Sequence, residues 1–271
     1  MLRTAQFSGS FYPGLPATLS TTLLHLCPVR SDPQTVLGVM APHAGYIYSG
    51  RFAGQVFGAI EVPDLVILLG PNHTGMGAPG SVYTHGDWET PIGSVPVDNH
   101  LARALLDASP YLVADTLAHS QEHSLEVQLP FLLHRNHQVK IVPICFGRQP
   151  LDHLLSIGAA IAKVIARWPK PVLLVGSSDM THFKSASQAA PQDHLALENI
   201  ASVDAAGLYK TVTTGQISMC GVLPMTVLLA AVHALGARHG KIVAYGHSGE
   251  VTGDDRDVVA YAGAIIPLPT I

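Results

Sequence analysis

Six short apolar runs, each closed by glycine, proline or a polar residue, constrain this chain more than any other feature. They are "TVLGVMA" (35–41), "DLVILLG" (64–70), "KIVPICFG" (140–147), "PVLLVGSS" (171–178), "KIVAYG" (241–246) and "VVAYAGAII" (258–266). Their apolarity is continuous rather than alternating, which is the pattern of strands covered on both faces. Between them the spacing of apolar residues predicts helices over 49–60, 97–108, 121–135, 151–168, 192–212 (with a break at Gly207) and 221–236. In 151–168, Leu154, Leu155, Ile157, Ile161, Val164, Ile165 and Trp168 recur every three to four residues and mark one buried face. Strands alternating with helices predict an α/β sandwich with a mostly parallel central sheet, right-handed crossovers and helices on both faces. Nothing in the 271 residues marks a linker or an internal repeat, so residues 1–271 are expected to form one domain.

Hydrophobic residues make up 48% of the chain and charged residues 13%, enough to fill a core on both sides of a sheet. The net charge of -4 and the lack of a basic cluster argue against nucleic acid or an anionic membrane as partner. No stretch reaches the roughly 18 apolar residues of a membrane span, and the N-terminal residues lack the apolar core of a signal peptide. Three widely spaced cysteines, Cys27, Cys145 and Cys220, do not form a disulfide framework and suit a reducing compartment, so a cytoplasmic location is expected. Histidine is the unusual entrant: 15 residues, as many as lysine and arginine together.

In open α/β sheets, ligands gather beyond the carboxyl ends of the strands. The run at 35–41 leads into "PHAGYIYSG" with His43, the run at 64–70 into "GPNHTG" with His73, and the run at 171–178 into Asp179 and His182 of "SSDMTHF". A loop histidine taken singly is most often a capping or solvated residue; three at one sheet edge make a candidate metal or acid–base site. In "AHSQEHSLEVQLPF", His119 and His123 stand four apart, but Ser120 as an N-cap would leave His119 outside the helix. His123 is expected to be a site residue and not a ligand; Glu122 and Glu126 are expected to cap the helix or face solvent, Glu126 in particular. Cys220, in "SMCGVLP" ahead of an apolar helix, can be read as core filler, nucleophile or metal ligand. No "GxxxxGK[ST]", "GxGxxG" or "GxSxG" pattern is present, and Ser177, Ser178, Asp179 and His182 are too crowded to form a hydrolytic relay among themselves.

The succession "FSGSFYPG", "PHAGYIYSG", "LLGPNHTG", "WETPIGSVPVD", "EHSLEVQLPF", "IVPICFG", "SSDMTH", "MCGVLP" and "GDDRDVVAYAGA" resembles the Memo family, whose prokaryotic members are often named AmmeMemoRadiSam system protein B. That family resembles in fold the class III extradiol ring-cleaving dioxygenases, non-haem iron enzymes. The resemblance implies that His43 and His73 match the two metal histidines and that Cys220 takes the place of the carboxylate ligand. It further implies His182 and His123 as proton-transferring groups tuned by Asp179. The cofactor so implied is Fe(II), with copper or zinc admitted by the softer sulfur. The implied activity is a metal-dependent oxidoreductase acting on a small molecule or peptide, in prokaryotes alongside partners of an AmmeMemoRadiSam system. A non-catalytic peptide-binding module, as animal members have been viewed, is a second reading, and a Cys220- or zinc-dependent hydrolase a third.

Overall fold

A computed structural model of the protein describes residues 2–269. The strands are β1 (Leu2–Arg3), β2 (Val36–Ala41), β3 (Leu65–Pro71), β4 (Gly80–Val82), β5 (Asp87–Thr90), β6 (Gly93–Pro96), β7 (Val113–Ala114), β8 (Lys140–Phe146), β9 (Val172–Ser177), β10 (His182–Lys184), β11 (Lys241–His247) and β12 (Val258–Pro267). The helices are α1 (Pro16–Leu26), α2 (Tyr46–Gly58), α3 (Asn99–Ala108), α4 (Leu129–Arg135), α5 (Leu151–Ile165), α6 (Ala186–Ala201), α7 (Ala205–Thr214), α8 (Val222–Ala234) and α9 (Gly249–Thr252). All six apolar runs are strands of one nine-stranded sheet ordered β10-β12-β2-β9-β3-β8-β4-β7, with β11 also paired to β12; β1, β5 and β6 form a separate three-stranded sheet.

Alternate residues of the central strands enter different cores. Leu65, Ile67 and Leu69 of β3 and Leu174 of β9 point into one, beneath α3, α5, α6, α7 and α8. Val66 and Leu68 of β3 and Leu173 and Val175 of β9 point into the other, beneath α1, α2 and α4. This two-sided burial is why these runs carry no polar alternation. α5 and α8 approach so closely that a Cβ on Gly158 would stand 2.7 Å from the Val227 carbonyl oxygen and 2.6 Å from the Ala230 Cβ.

The sheet is parallel at its centre and again in the short β4–β7 pair at one edge. β2, β9, β3 and β8 run parallel, whereas β12 pairs antiparallel with β2, β10 and β11, and β4 pairs antiparallel with β8. β11 and β12 are joined by only ten residues, which suffices for an antiparallel pair but not for the crossover a parallel pair needs. Two helix expectations also shift. The segment expected as helix from 121 is irregular up to a 3-10 turn at Glu126–Gln128, and α4 starts only at Leu129. The break expected at Gly207 lies at 202–204, where Val203 has φ 56° and Asp204 caps α7 by accepting the Gly207 amide.

Candidate metal centre

β2, β9 and β3 lie side by side and parallel, so their three carboxyl ends open on one edge of the sheet. His43 follows Ala41 by two residues and His73 follows Pro71 by two, while Asp179 and His182 follow the end of β9 at Ser177. His123 arrives on the irregular segment before α4. His43, His73 and His123 each offer a ring nitrogen, and these atoms lie within 4.8 Å of one another. Their ring centroids are 5.2 Å apart for His43 and His73, 5.3 Å for His43 and His123, and 4.6 Å for His73 and His123.

The neighbours of His43 and His73 decide which ring nitrogen is free. The single hydroxyl proton of Ser177 goes to the Ser124 carbonyl at 2.6 Å, so Ser177 Oγ accepts from Gln128 Nε2 at 2.9 Å and from His43 Nδ1 at 2.9 Å. His43 therefore carries its proton on Nδ1 and leaves Nε2 as an acceptor, hydrogen-bonded to the sulfur of Cys220 at 3.2 Å. His73 Nδ1 donates to the Glu122 carboxylate at 2.8 Å, which again frees Nε2. Glu122 also accepts the His73 and Ser124 amides at 2.7 and 2.9 Å. Burial pushes this carboxyl up, but the hydrogen bonds it accepts, that from His73 Nδ1 foremost, prevail and hold it at about 2.

Burial and the neighbouring imidazoles push the pKa of His43 well below the usual histidine range and that of His123 down to about 4. Both rings are thus neutral at physiological pH, the state in which imidazole binds a metal. Burial, with the Asp179 charge, raises the Cys220 thiol, so in the metal-free protein it keeps its proton; a coordinated ion would remove it.

The remaining expected residues fall around this trio. Cys220, expected as the third ligand, stands beside His43 and accepts the Asp179 amide at 3.3 Å, but it is not part of the trio. His123, expected as a proton-transfer group, is the third histidine of the trio. Asp179 accepts the His43 amide at 2.7 Å, with the Ala44 amide also bonded to it, and so fixes the backbone of the His43 loop. His182 donates Nδ1 to the Met180 and Ser218 carbonyls at 2.8 and 3.0 Å, which leaves its Nε2 as a proton acceptor. His119 is set apart: its Nε2 donates to the Ser81 carbonyl at 3.1 Å and its ring packs against Trp88 and Tyr83. Gln128 and Arg3 were not visible as site residues in the sequence; neither lies within forty residues of the groups it holds.

The profile of a family described as Memo-like protein matches residues 3–265. A protein of Methanosarcina barkeri named as a MEMO1 family protein is 38% identical over 267 residues, covering 98% of this chain and 100% of its own. One of Aquifex aeolicus, also named as a MEMO1 family protein, is 39% identical over 268 residues, covering 97% and 98%. The crystal structure of an uncharacterized protein from Escherichia coli K12 superposes with a TM-score of 0.57 over 85% of this chain and 99% of that one, at 14% identity, which speaks to the fold alone. Among the described residues, no helix is long and apolar enough to cross a membrane.

Proposed function

Starting from the chain's membership of the Memo family, shown by the match over residues 3–265 and by full-length relatives at 38% and 39% identity, we propose that it is a mononuclear metal-dependent oxidoreductase. The observation that carries this reading is the pair of fixed tautomers. Ser177 and Glu122 each occupy the Nδ1 proton of a histidine, so the Nε2 lone pairs of His43 and His73 are available together. His43, His73 and His123 hold the ion, and Cys220 is a further donor beside His43 that admits softer metals. Fe(II) bound there would supply redox chemistry and open coordination positions for substrate and oxygen.

The chain's own residues divide the other tasks. His182, with Nδ1 committed to two carbonyls, takes a proton from substrate at Nε2. Asp179 keeps the His43 loop in place through its amides. Phe7 and Phe11, against the ring of His123, shield that side from water.

Metal analysis after anaerobic loading with Fe(II) tests the ligand set: the wild type should take up one equivalent, and His43→Ala/His73→Ala should take up none while retaining its circular dichroism. Full loading of the double variant would overturn the assignment. Oxygen consumption by the loaded wild type and its loss in His182→Gln would support the oxidoreductase; tight peptide binding with no oxygen consumption would favour a binding module.

A further inference from the structure

Glu126 was expected to be a bland capping or solvent-facing residue, yet it is fully buried. Its carboxylate accepts four hydrogen bonds, two on each oxygen, and all four donors belong to one short segment. Arg3 Nη1 and the Gln6 amide reach Oε2 at 2.5 and 3.1 Å; the Phe7 amide and the Tyr12 hydroxyl reach Oε1 at 2.8 Å each. Arg3 completes the clamp from the other direction. Its Nε donates to the His119 carbonyl at 2.8 Å and its Nη2 to the Glu122 carbonyl at 2.9 Å, while the guanidinium lies 4.1 Å above the Trp88 ring. The two residues thus grip the 119–126 segment at both ends, and that segment carries Glu122 and His123.

The clamped segment turns at Gly9, whose φ is 83°, and is pinned again where the Phe11 carbonyl accepts the Tyr46 amide at 2.7 Å. This path sets two rings against His123: Phe11 at 4.7 Å between centroids and Phe7 at 5.6 Å. His123 makes no hydrogen bond to Glu122, its Nδ1 standing 3.6 Å from the carboxylate. Its ring therefore lacks the hydrogen-bonded support that Ser177 and Glu122 give to His43 and His73.

We infer that Arg3 and Glu126 are positioning residues for His123, acting through the Arg3–Tyr12 segment, whose Phe7 and Phe11 rings hold the imidazole in place where a hydrogen bond does not. A buried ion pair is costly unless every donor and acceptor is matched, and here the matching fixes one register of the N-terminal segment over the site. The inference rests on the proposed metal site only for its effect on metal binding; the placement of the ring holds for the metal-free protein.

The test follows the histidine ring signals of metal-free protein by long-range proton–nitrogen NMR. The Phe11 ring, tilted 39° to the imidazole at 4.7 Å, displaces the His123 ring protons by ring current. Glu126→Gln, which keeps the shape but replaces an acceptor by a donor, and Phe11→Leu should both move these signals toward free-histidine positions, whereas Phe11→Tyr should leave them. The His182 signals should stay put in all three. In a zinc titration, Glu126→Gln and Phe11→Leu should each weaken affinity by about 10- to 100-fold, the range for residues that orient a ligand. Unmoved His123 signals in a folded Glu126→Gln protein would overturn the inference, as would displacement of every histidine together. Displaced His123 signals in the variants, with wild-type His123 untouched by zinc, would uphold the positioning role and remove His123 from the ligand set.

Discussion

Replacing Ser177 by alanine removes one oxygen and dismantles three hydrogen bonds at once. The hydroxyl donates to the Ser124 carbonyl and accepts from Gln128 Nε2 and His43 Nδ1, all within 2.9 Å, at a position with no solvent access. Gln128 Nε2 keeps the Pro42 carbonyl at 3.0 Å, so its loss is partial. The Ser124 carbonyl and the His43 Nδ1–H lose the partner outright. At about 1–3 kcal/mol for each of these two buried groups left unpaired, Ser177→Ala should destabilise the metal-free protein by roughly 2–6 kcal/mol. A second effect concerns the tautomer. With no acceptor at Nδ1, neutral His43 can carry its proton on Nε2 and forfeit the lone pair that faces Cys220. Zinc affinity should fall by about 10- to 100-fold in consequence. Urea unfolding in the presence of a chelator measures the first effect, and calorimetric zinc titration of the folded variant measures the second. Destabilisation below about 0.5 kcal/mol, the size of an ordinary surface substitution, would refute the hydrogen-bond accounting. Unchanged zinc affinity would refute the claim that Ser177 sets the tautomer.

Asp115 provides a pH test away from the site. Burial pushes its carboxyl up, but the Ala78 and Leu117 amides at 2.7 Å and the Ser81 hydroxyl at 2.9 Å prevail and hold its pKa below the usual value. A pKa lower in the folded than in the unfolded state adds stability above the unfolded value, and that stability is lost as pH falls through the folded one. Asp115→Asn should therefore be destabilised at neutral pH, with the gap to wild type narrowing below about pH 4 in urea titrations. Buried Asp193 accepts the Thr181 amide and hydroxyl at 3.0 and 2.6 Å and the Tyr245 hydroxyl at 2.8 Å; Asp193→Ala should cost about 1–3 kcal/mol for each donor it strands and speed hydrogen exchange at the Thr181 amide beside His182. Gly158→Ala forces a methyl against α8 and should lower stability by about 1–3 kcal/mol in thermal melts. Cys220→Ser should weaken copper and zinc more than iron or manganese in competition titrations, because only the soft donor is removed.

The strands and the edge that carries the site were legible along the chain, because burial on both faces leaves a local mark: runs such as "DLVILLG" have no polar alternation, and His43, His73 and His182 stand just past the ends of β2, β3 and β9. Two local rules misled. The helical spacing of 121–135 did not produce a helix before Leu129, because Glu122 is committed to His73 and the Glu122 carbonyl to Arg3. Gly207 drew the expected break, but the positive φ of Val203 and the Asp204 cap placed it earlier.

Burial on both sides is written along the chain, and with it an α/β sandwich with histidines at one edge. How the flanking strands pair, which nitrogen each histidine offers, and the grouping of His123 with His43 and His73 while Cys220 stands beside them emerge with the folded chain alone. The physical reason is separation along the chain. Ser177 lies 134 residues from His43, Glu122 lies 49 from His73 and Arg3 lies 123 from Glu126. A hydrogen bond across such a distance leaves no periodicity in the sequence; it exists only after the sheet has brought its ends together.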